Sequence, residues 1–261
     1  MIIIHTRLLI EFILIFFRVI AMILIMPFVG SSAVPKWAKI GMAFFISLTI
    51  YPLVVKTQII PSMSFPALVL FILSQTLIGL IFGFLVLIIF TGVELAGQFM
   101  GLQIGFGMIS LLNPLISNQQ VSLIANMQNF IALMIFIETS AFFFVIEGLY
   151  KSFETIPLTF IQFSPSIFKY LVLKAGDIFI IGFDLSIPIV IVAILLNVII
   201  ALMGRLAPQF NIFAVGFPLM IFVGLYILYI AEPYFTDYII QSFIHLRFEY
   251  YRLINSLALL S

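Results

Sequence analysis

The chain has 261 residues, of which 64% are hydrophobic and 8% charged, with a formal net charge of +1 and no cysteine. Soluble domains average roughly 45–50% apolar and 25% charged residues, so a mean hydropathy of +1.35 identifies an integral membrane protein. The near-neutral charge gives no footing for nucleic acid as a partner, and the lack of cysteine excludes disulfides and thiolate metal sites.

In chain order, apolar runs predict helices at about 8–28, 38–55, 67–93, 122–146, 178–203 and 213–231. The expected fold is an all-α, polytopic membrane protein of about six long hydrophobic helices forming hairpins, in a single membrane domain over residues 1–261. The opening, Met1 to Arg7, runs straight into an apolar span holding Glu11 and Arg18 without a small-residue cleavage site. That predicts a retained first helix rather than a removed signal peptide. Pro27, Gly30 and Pro35 bracket the first connection, Pro52, Pro61 and Pro66 the second, and Pro208 the fifth.

The stretch 147–177 carries Glu147, Lys151, Glu154, Lys169, Lys174 and Asp177 and reads as a water-facing loop. With the N-terminus inside, Arg7, Lys56, Lys151, Lys169, Lys174, Arg247 and Arg252 are cytoplasmic, whereas Lys36, Lys39 and Arg205 are not. The lysine and arginine bias therefore favours both termini on the cytoplasmic side. After Pro233, Ile239, Phe243, Leu246, Tyr250, Leu253 and Leu257 recur at three- and four-residue steps, which predicts an amphipathic helix over 233–261.

Catalytic chemistry finds little support. The two histidines, His5 and His245, lie near opposite ends, and neither a nucleophile elbow nor a phosphate-binding loop occurs. No metal or cofactor site is expected. Glu11, Glu94 and Glu138 sit within apolar stretches; burying a bare charge is costly, so structural pairing is the stronger reading over a proton relay. Glu11 and Arg18 lie two turns apart on one face, each placed to meet a partner on a neighbouring helix.

The sharpest signal lies in the charge-free tract from Leu95 to Ile137. Gly97, Gly101 and Gly105, at four-residue spacing and flanked by Gln98 and Gln103, form a face on which another backbone can approach closely. We expect this face to pack against a neighbouring subunit. Next come Phe106, Gly107, Met108, Ile109, Ser110, Leu111, Leu112, Asn113 and Pro114, where glycine and Asn-Pro discourage helix. A turn in water is normally polar. A loop this apolar is comfortable only inside something, so 97–118 is read as a broken, interior segment.

The second constellation is Arg205, Pro208, Gln209, Asn211, Gly216 and Pro218. Its polar groups are assigned to structural anchoring, with Glu232 and Glu94 as candidate partners for Arg205, because buried polar groups must be paired.

The tracts AGQFMGLQIGFGMISLLN from Ala96 and RLAPQFNIFAVGFP from Arg205 resemble the FliR family of flagellar export-gate proteins. Phe17-Arg18, Pro27 to Ser31, Val34-Pro35 and Lys39 to Gly41 resemble its opening, and Ser74 to Phe84 its next span, with Gln75 where an acid is usual. Glu138-Thr139-Ser140 replaces a region where the family often has a Gly-His pair. The resemblance covers nearly the whole chain and keeps motif order.

It implies a non-enzymatic core subunit of the type III export gate in the bacterial inner membrane and flagellar basal body. That subunit assembles with FliP-like, FliQ-like and FlhB-like subunits into a helical complex that passes unfolded proteins. It also implies that Phe106 to Pro114 plug the pore, and that much of the assembly stands outside the bilayer, so that hydropathy overcounts lipid-spanning helices. The injectisome counterparts form the sister branch. A secondary transporter is the competing function, with its site at the broken 97–118 segment; it lacks an inverted repeat and a second broken helix at equivalent depth.

Overall fold

The computed structural model describes residues 2–31, 34–54, 64–106, 122–159, 164–206 and 212–258, with the side chains of 2–6 and 212–215 left aside. These residues form seven helices and no strand: α1 (Ile2–Ile25), α2 (Lys36–Val54), α3 (Phe65–Ile104), α4 (Leu123–Glu138), α5 (Ala141–Thr155), α6 (Pro165–Leu206) and α7 (Ile212–Ala258). Five are long and apolar enough to cross a membrane, and the broken pair α4–α5 raises the number to six if counted as one span. The protein is an all-α, multi-pass membrane protein.

Five of the six predicted helices are present, and several run further than their hydropathy suggests. α3 continues through Gly97 and Gly101, whose weak helix propensity costs about 1 kcal/mol each against alanine. The stretch 147–177 is mostly helix rather than loop, because its charges are paired along and between helices. Glu147 meets Lys151 at 3.0 Å and Arg247 at 3.2 Å, while Lys174 meets Glu249 at 3.0 Å. A charge that finds its partner does not need a loop. Pro165 opens α6 at the position where a missing N–H is harmless. The last predicted span and the amphipathic tail merge into one helix of 47 residues, with Pro218 and Pro233 inside it.

The span expected at 122–146 is divided instead. Thr139 Oγ1 donates to the Ile135 carbonyl at 2.7 Å, and Ser140 takes a left-handed conformation at φ 56°, which closes α4 before α5 begins.

The chain forms two compact units: one of residues 1–88, 140–175 and 243–261, the other of residues 89–139 and 176–242. In the first unit α1 and α2 make a hairpin. Phe12 meets Phe44 edge-on at 5.4 Å and Tyr51 at 5.9 Å, and the Tyr51 hydroxyl donates to the Leu8 carbonyl. Its turn is held by a cation: Lys39 Nζ donates to the Gly30 and Ser31 carbonyls at 2.8 and 2.7 Å.

The centre of this unit is Arg18, which is fully buried. Its Nε donates to Gln75 Oε1 on α3 at 2.7 Å, and Nη2 reaches the same oxygen. Nη1 donates to Ser152 Oγ at 3.1 Å, and Nη2 also reaches the Ile156 and Pro157 carbonyls. The guanidinium lies 4.2 Å from the centre of the Phe153 ring. Gln75 Nε2 in turn donates to the Pro157 and Thr159 carbonyls. One turn along α3 from Gln75, a Cβ at Gly79 would overlap the Arg18 carbonyl, and one at Gly83 would overlap Ile25 and crowd the Met22 carbonyl. These two glycines let α3 lie directly on α1. Glu11 is held separately, by Arg7 at 3.0 Å on its own helix.

The partners of Arg18 are neutral, and that predicts an asymmetry. Gln75→Leu strands a buried cation and should cost roughly 3–5 kcal/mol, whereas Arg18→Met leaves only neutral groups unpaired and should cost about 1–3 kcal/mol. Gln75→Glu should match or exceed the original stability. Thermal unfolding in detergent checks the order, and an Arg18→Met protein less stable than Gln75→Leu contradicts it.

Candidate functional site

The second unit contains the glycine-rich end of α3. Gly97 and Gly101 are buried, and their open faces are filled by the first turn of α4 in this same chain. A Cβ at Gly97 would overlap the backbone of Ala125, and a Cβ at Gly101 would overlap the Ser122 hydroxyl. Ser122 Oγ also donates to the Gly97 carbonyl at 3.4 Å. The close approach is therefore within the chain, not against a neighbouring subunit as the spacing suggested. Spacing alone reveals that a backbone approaches, never whose.

α3 then ends on a defined motif. Gly105 has φ 101°, its N–H donates to the Leu102 carbonyl at 3.2 Å, and the Phe106 N–H donates to the Gly101 carbonyl at 3.0 Å. That pair of bonds closes the last turn around a left-handed residue, the usual task of glycine at a helix C-terminus. The direction in which the chain leaves α3 at Phe106 is thereby fixed. Gly107, Met108, Ile109, Ser110, Leu111, Leu112, Asn113 and Pro114 lie outside the described residues, as do Pro208, Gln209 and Asn211.

The polar residues around this end are sparse. Gln98 Nε2 donates to Glu94 Oε1 at 3.4 Å. Gln103 lines a shallow cleft with Ile104, Ile189, Met220 and Gly224. Gln128, which is buried, donates to Glu232 Oε2 at 3.5 Å, while Glu232 Oε1 and Asn129 Oδ1 are buried without a hydrogen-bond partner. The Gln128–Glu232 contact escaped sequence reasoning, because the two lie 104 residues apart with only the polarity of Gln128 in an apolar run as a signal.

Arg205 is exposed at the last turn of α6, and neither Glu232 nor Glu94 engages it. Its guanidinium is placed favourably near the negative end of the helix. Gly216 is buried against Ile200, and Pro218 is exposed inside α7. Glu138 is exposed at the end of α4. Among the described residues, no group of three His, Cys, Asp or Glu side chains is arranged to hold a metal.

Residues 9–246 match the family described as bacterial export proteins, family 1. The chain is 32% identical over 216 residues to the flagellar biosynthetic protein FliR of Escherichia coli (strain K12), covering 83% of this chain and 82% of that one. It is 30% identical over 224 residues to the FliR of Bacillus subtilis (strain 168), covering 84% and 85%. With the FliR of Aquifex aeolicus (strain VF5) it shares 27% identity over 252 residues, covering 90% and 95%.

The two glycines should respond differently to alanine. At Gly97 the obstacle is backbone, so Gly97→Ala should cost roughly 1–3 kcal/mol by overpacking. At Gly101 it is a hydroxyl that can rotate away, so Gly101→Ala should cost less. Thermal unfolding of the two proteins side by side decides this. Arg205→Ala should leave the stability of the isolated chain within about 0.5 kcal/mol; a larger loss in the same measurement would mean that Arg205 anchors the fold after all.

Proposed function

We propose that this chain, which belongs to the bacterial export proteins, family 1, is a core subunit of the flagellar type III protein export gate. At the coarser level, its apolar helices and its flagellar relatives make it a multi-pass membrane component of flagellar protein export. The finer reading places it in the bacterial inner membrane, within the basal body. There it joins FliP-like, FliQ-like and FlhB-like subunits around a path for unfolded proteins. The named relatives are flagellar, which supports that branch over the injectisome.

The observation that carries the reading is the way α3 ends. Gly105 stops the helix and releases Phe106 into a sequence without charge, Gly107 to Ser117, which holds Met108, Ile109, Leu111 and Leu112. A hydrophobic constriction excludes water and ions by dewetting, so such a segment closes a pore without any charged gate. We assign it the role of plug. The segment lies in a membrane protein with no metal-holding group of His, Cys, Asp or Glu among its described residues.

The helices also support assembly. At about 1.5 Å per residue, α7 is roughly 70 Å long and α6 roughly 63 Å, against a hydrocarbon core of about 30 Å. Helices of twice the needed length suit a complex that extends beyond the bilayer.

Removing four or more residues from Gly107 to Asn113 should let small ions and solutes leak across the membrane while the complex still forms. Dye uptake or conductance, read beside the amount of assembled complex, makes the test. Normal complex in a tight membrane would sink the plug assignment.

A further inference from the structure

We propose that the outward face of α2, from Ile40 to Leu53, lies against lipid acyl chains, with Lys36 and Trp37 at the level of the headgroups. The placement is independent of the export reading. Between Ala38 and Val54 the exposed residues are Ile40, Phe44, Phe45, Leu48, Thr49, Pro52 and Leu53. Every polar side chain in the same stretch is turned inward or onto its own backbone. Lys39 is buried and donates to the Gly30 and Ser31 carbonyls at 2.8 and 2.7 Å. Ser47 is buried, Thr49 Oγ1 donates to the Phe45 carbonyl at 2.9 Å, and the Tyr51 hydroxyl donates to the Leu8 carbonyl at 3.3 Å. The outward side chains therefore offer water no free polar group, which is what a hydrocarbon surrounding demands.

The rest of the first unit behaves differently. Glu154, Lys169, Arg247 and Arg252 are exposed on α5, α6 and α7, so a face without exposed charge is particular to the hairpin. A covering protein helix would suit the row poorly. Helix contacts in a membrane rest on small residues and paired polar groups, whereas Phe44, Phe45 and Leu48 are bulky and Phe45 is 68% exposed. Gly41, between Ile40 and Phe44, meets no atom within 4 Å of where a Cβ would stand.

The ends of the row fit headgroups. Lys36 and Trp37 open α2, and Trp37 is 77% exposed. An indole has an apolar body and one polar N–H, and a lysine stem lies along acyl chains while its ammonium reaches phosphate, so both collect at the membrane–water boundary. At the other end, the Tyr51–Leu8 hydrogen bond brings α2 beside the start of α1, where Arg7 is about half exposed. At about 1.5 Å per residue, Ala38 to Val54 covers roughly 25 Å of a hydrocarbon core of about 30 Å. The reach of Lys36 and Arg7 covers the difference.

The chain holds one tryptophan, so its fluorescence reports Trp37 alone. The full chain is reconstituted into vesicles of phosphatidylcholine and phosphatidylglycerol brominated either near the headgroup or deep in the acyl chain. Shallow bromine should quench Trp37 about twofold more than deep bromine, and Phe45→Trp in a Trp37→Phe background should reverse that order. In native membranes, benzoylphenylalanine in place of Phe45 should give lipid adducts. Gly41→Leu, which the open space lets the chain accept, should leave the yield of the complex containing it unchanged. Quenching by neither lipid, protein cross-links from the Phe45 site, or loss of the complex for Gly41→Leu overturns the placement. Each of these leaves the export reading standing, since that reading is tested by the plug deletion.

Discussion

A full positive charge, Arg18, is enclosed in the first unit without a carboxylate beside it. The helices of that unit are placed so that its N–H groups meet acceptors. α1 brings the guanidinium, α3 brings the Gln75 oxygen, and α5 with the residues after it brings Ser152, the Ile156 and Pro157 carbonyls and the face of Phe153. Shifting any one of these elements would leave a buried cation short of partners, which costs far more than a lost apolar contact. The node therefore ties together segments more than 130 residues apart in the chain. It does so without the rigid geometry of a bidentate ion pair, since a side-chain amide and carbonyls tolerate some variation in angle.

Apolar burial cannot fix the helix arrangement of such a protein, because lipid is as apolar as a helix face. What remains is close packing and a few polar contacts, and α3 uses both in each unit. In the first unit Gly79 and Gly83 let it lie on α1 beside the Arg18–Gln75 contact. In the second, Gly97 and Gly101 let it lie on the start of α4 beside the Ser122–Gly97 contact. The same four-residue spacing does the same task twice, and each time a hydrogen bond sets the register that shape alone would leave free.

Much of this was legible in the sequence, for reasons that can be named. Helix positions were legible because charge-free runs of this length have few other uses. The close approach at Gly97 and Gly101 was legible because missing side chains leave a gap that something must fill. The stripe Ile239, Phe243, Leu246, Tyr250, Leu253 and Leu257 is buried throughout, as its periodicity implied. Helix ends were less legible. Lys151, Lys174 and Glu147 look like loop residues one at a time; the pair Glu147–Lys151 one turn apart and the distant partners Arg247, Tyr251 and Glu249 make them compatible with helix. The identity of partners was least legible of all. Gln75 for Arg18, and Gln128 rather than Arg205 for Glu232, depend on three-dimensional proximity that no local pattern encodes.

The unsatisfied groups bear on how a gate subunit of the proposed kind would work. Among the described residues, the second unit leaves Asn129 Oδ1 and Glu232 Oε1 buried without a partner, and the first unit leaves Glu11 Oε2 and Ser47 Oγ. A buried polar atom without a partner raises the free energy of the packing that holds it, by about 1–3 kcal/mol. Any rearrangement that hydrates or pairs those atoms recovers part of that energy. The Gln128–Glu232 contact, at 3.5 Å, is long enough to give up cheaply. Breaking the Arg18 contacts offers no such recovery, since it would leave a buried cation short of acceptors. On the proposed function, the Gln128–Glu232 contact is one that gives way at little cost, whereas the Arg18 contacts hold their helices together.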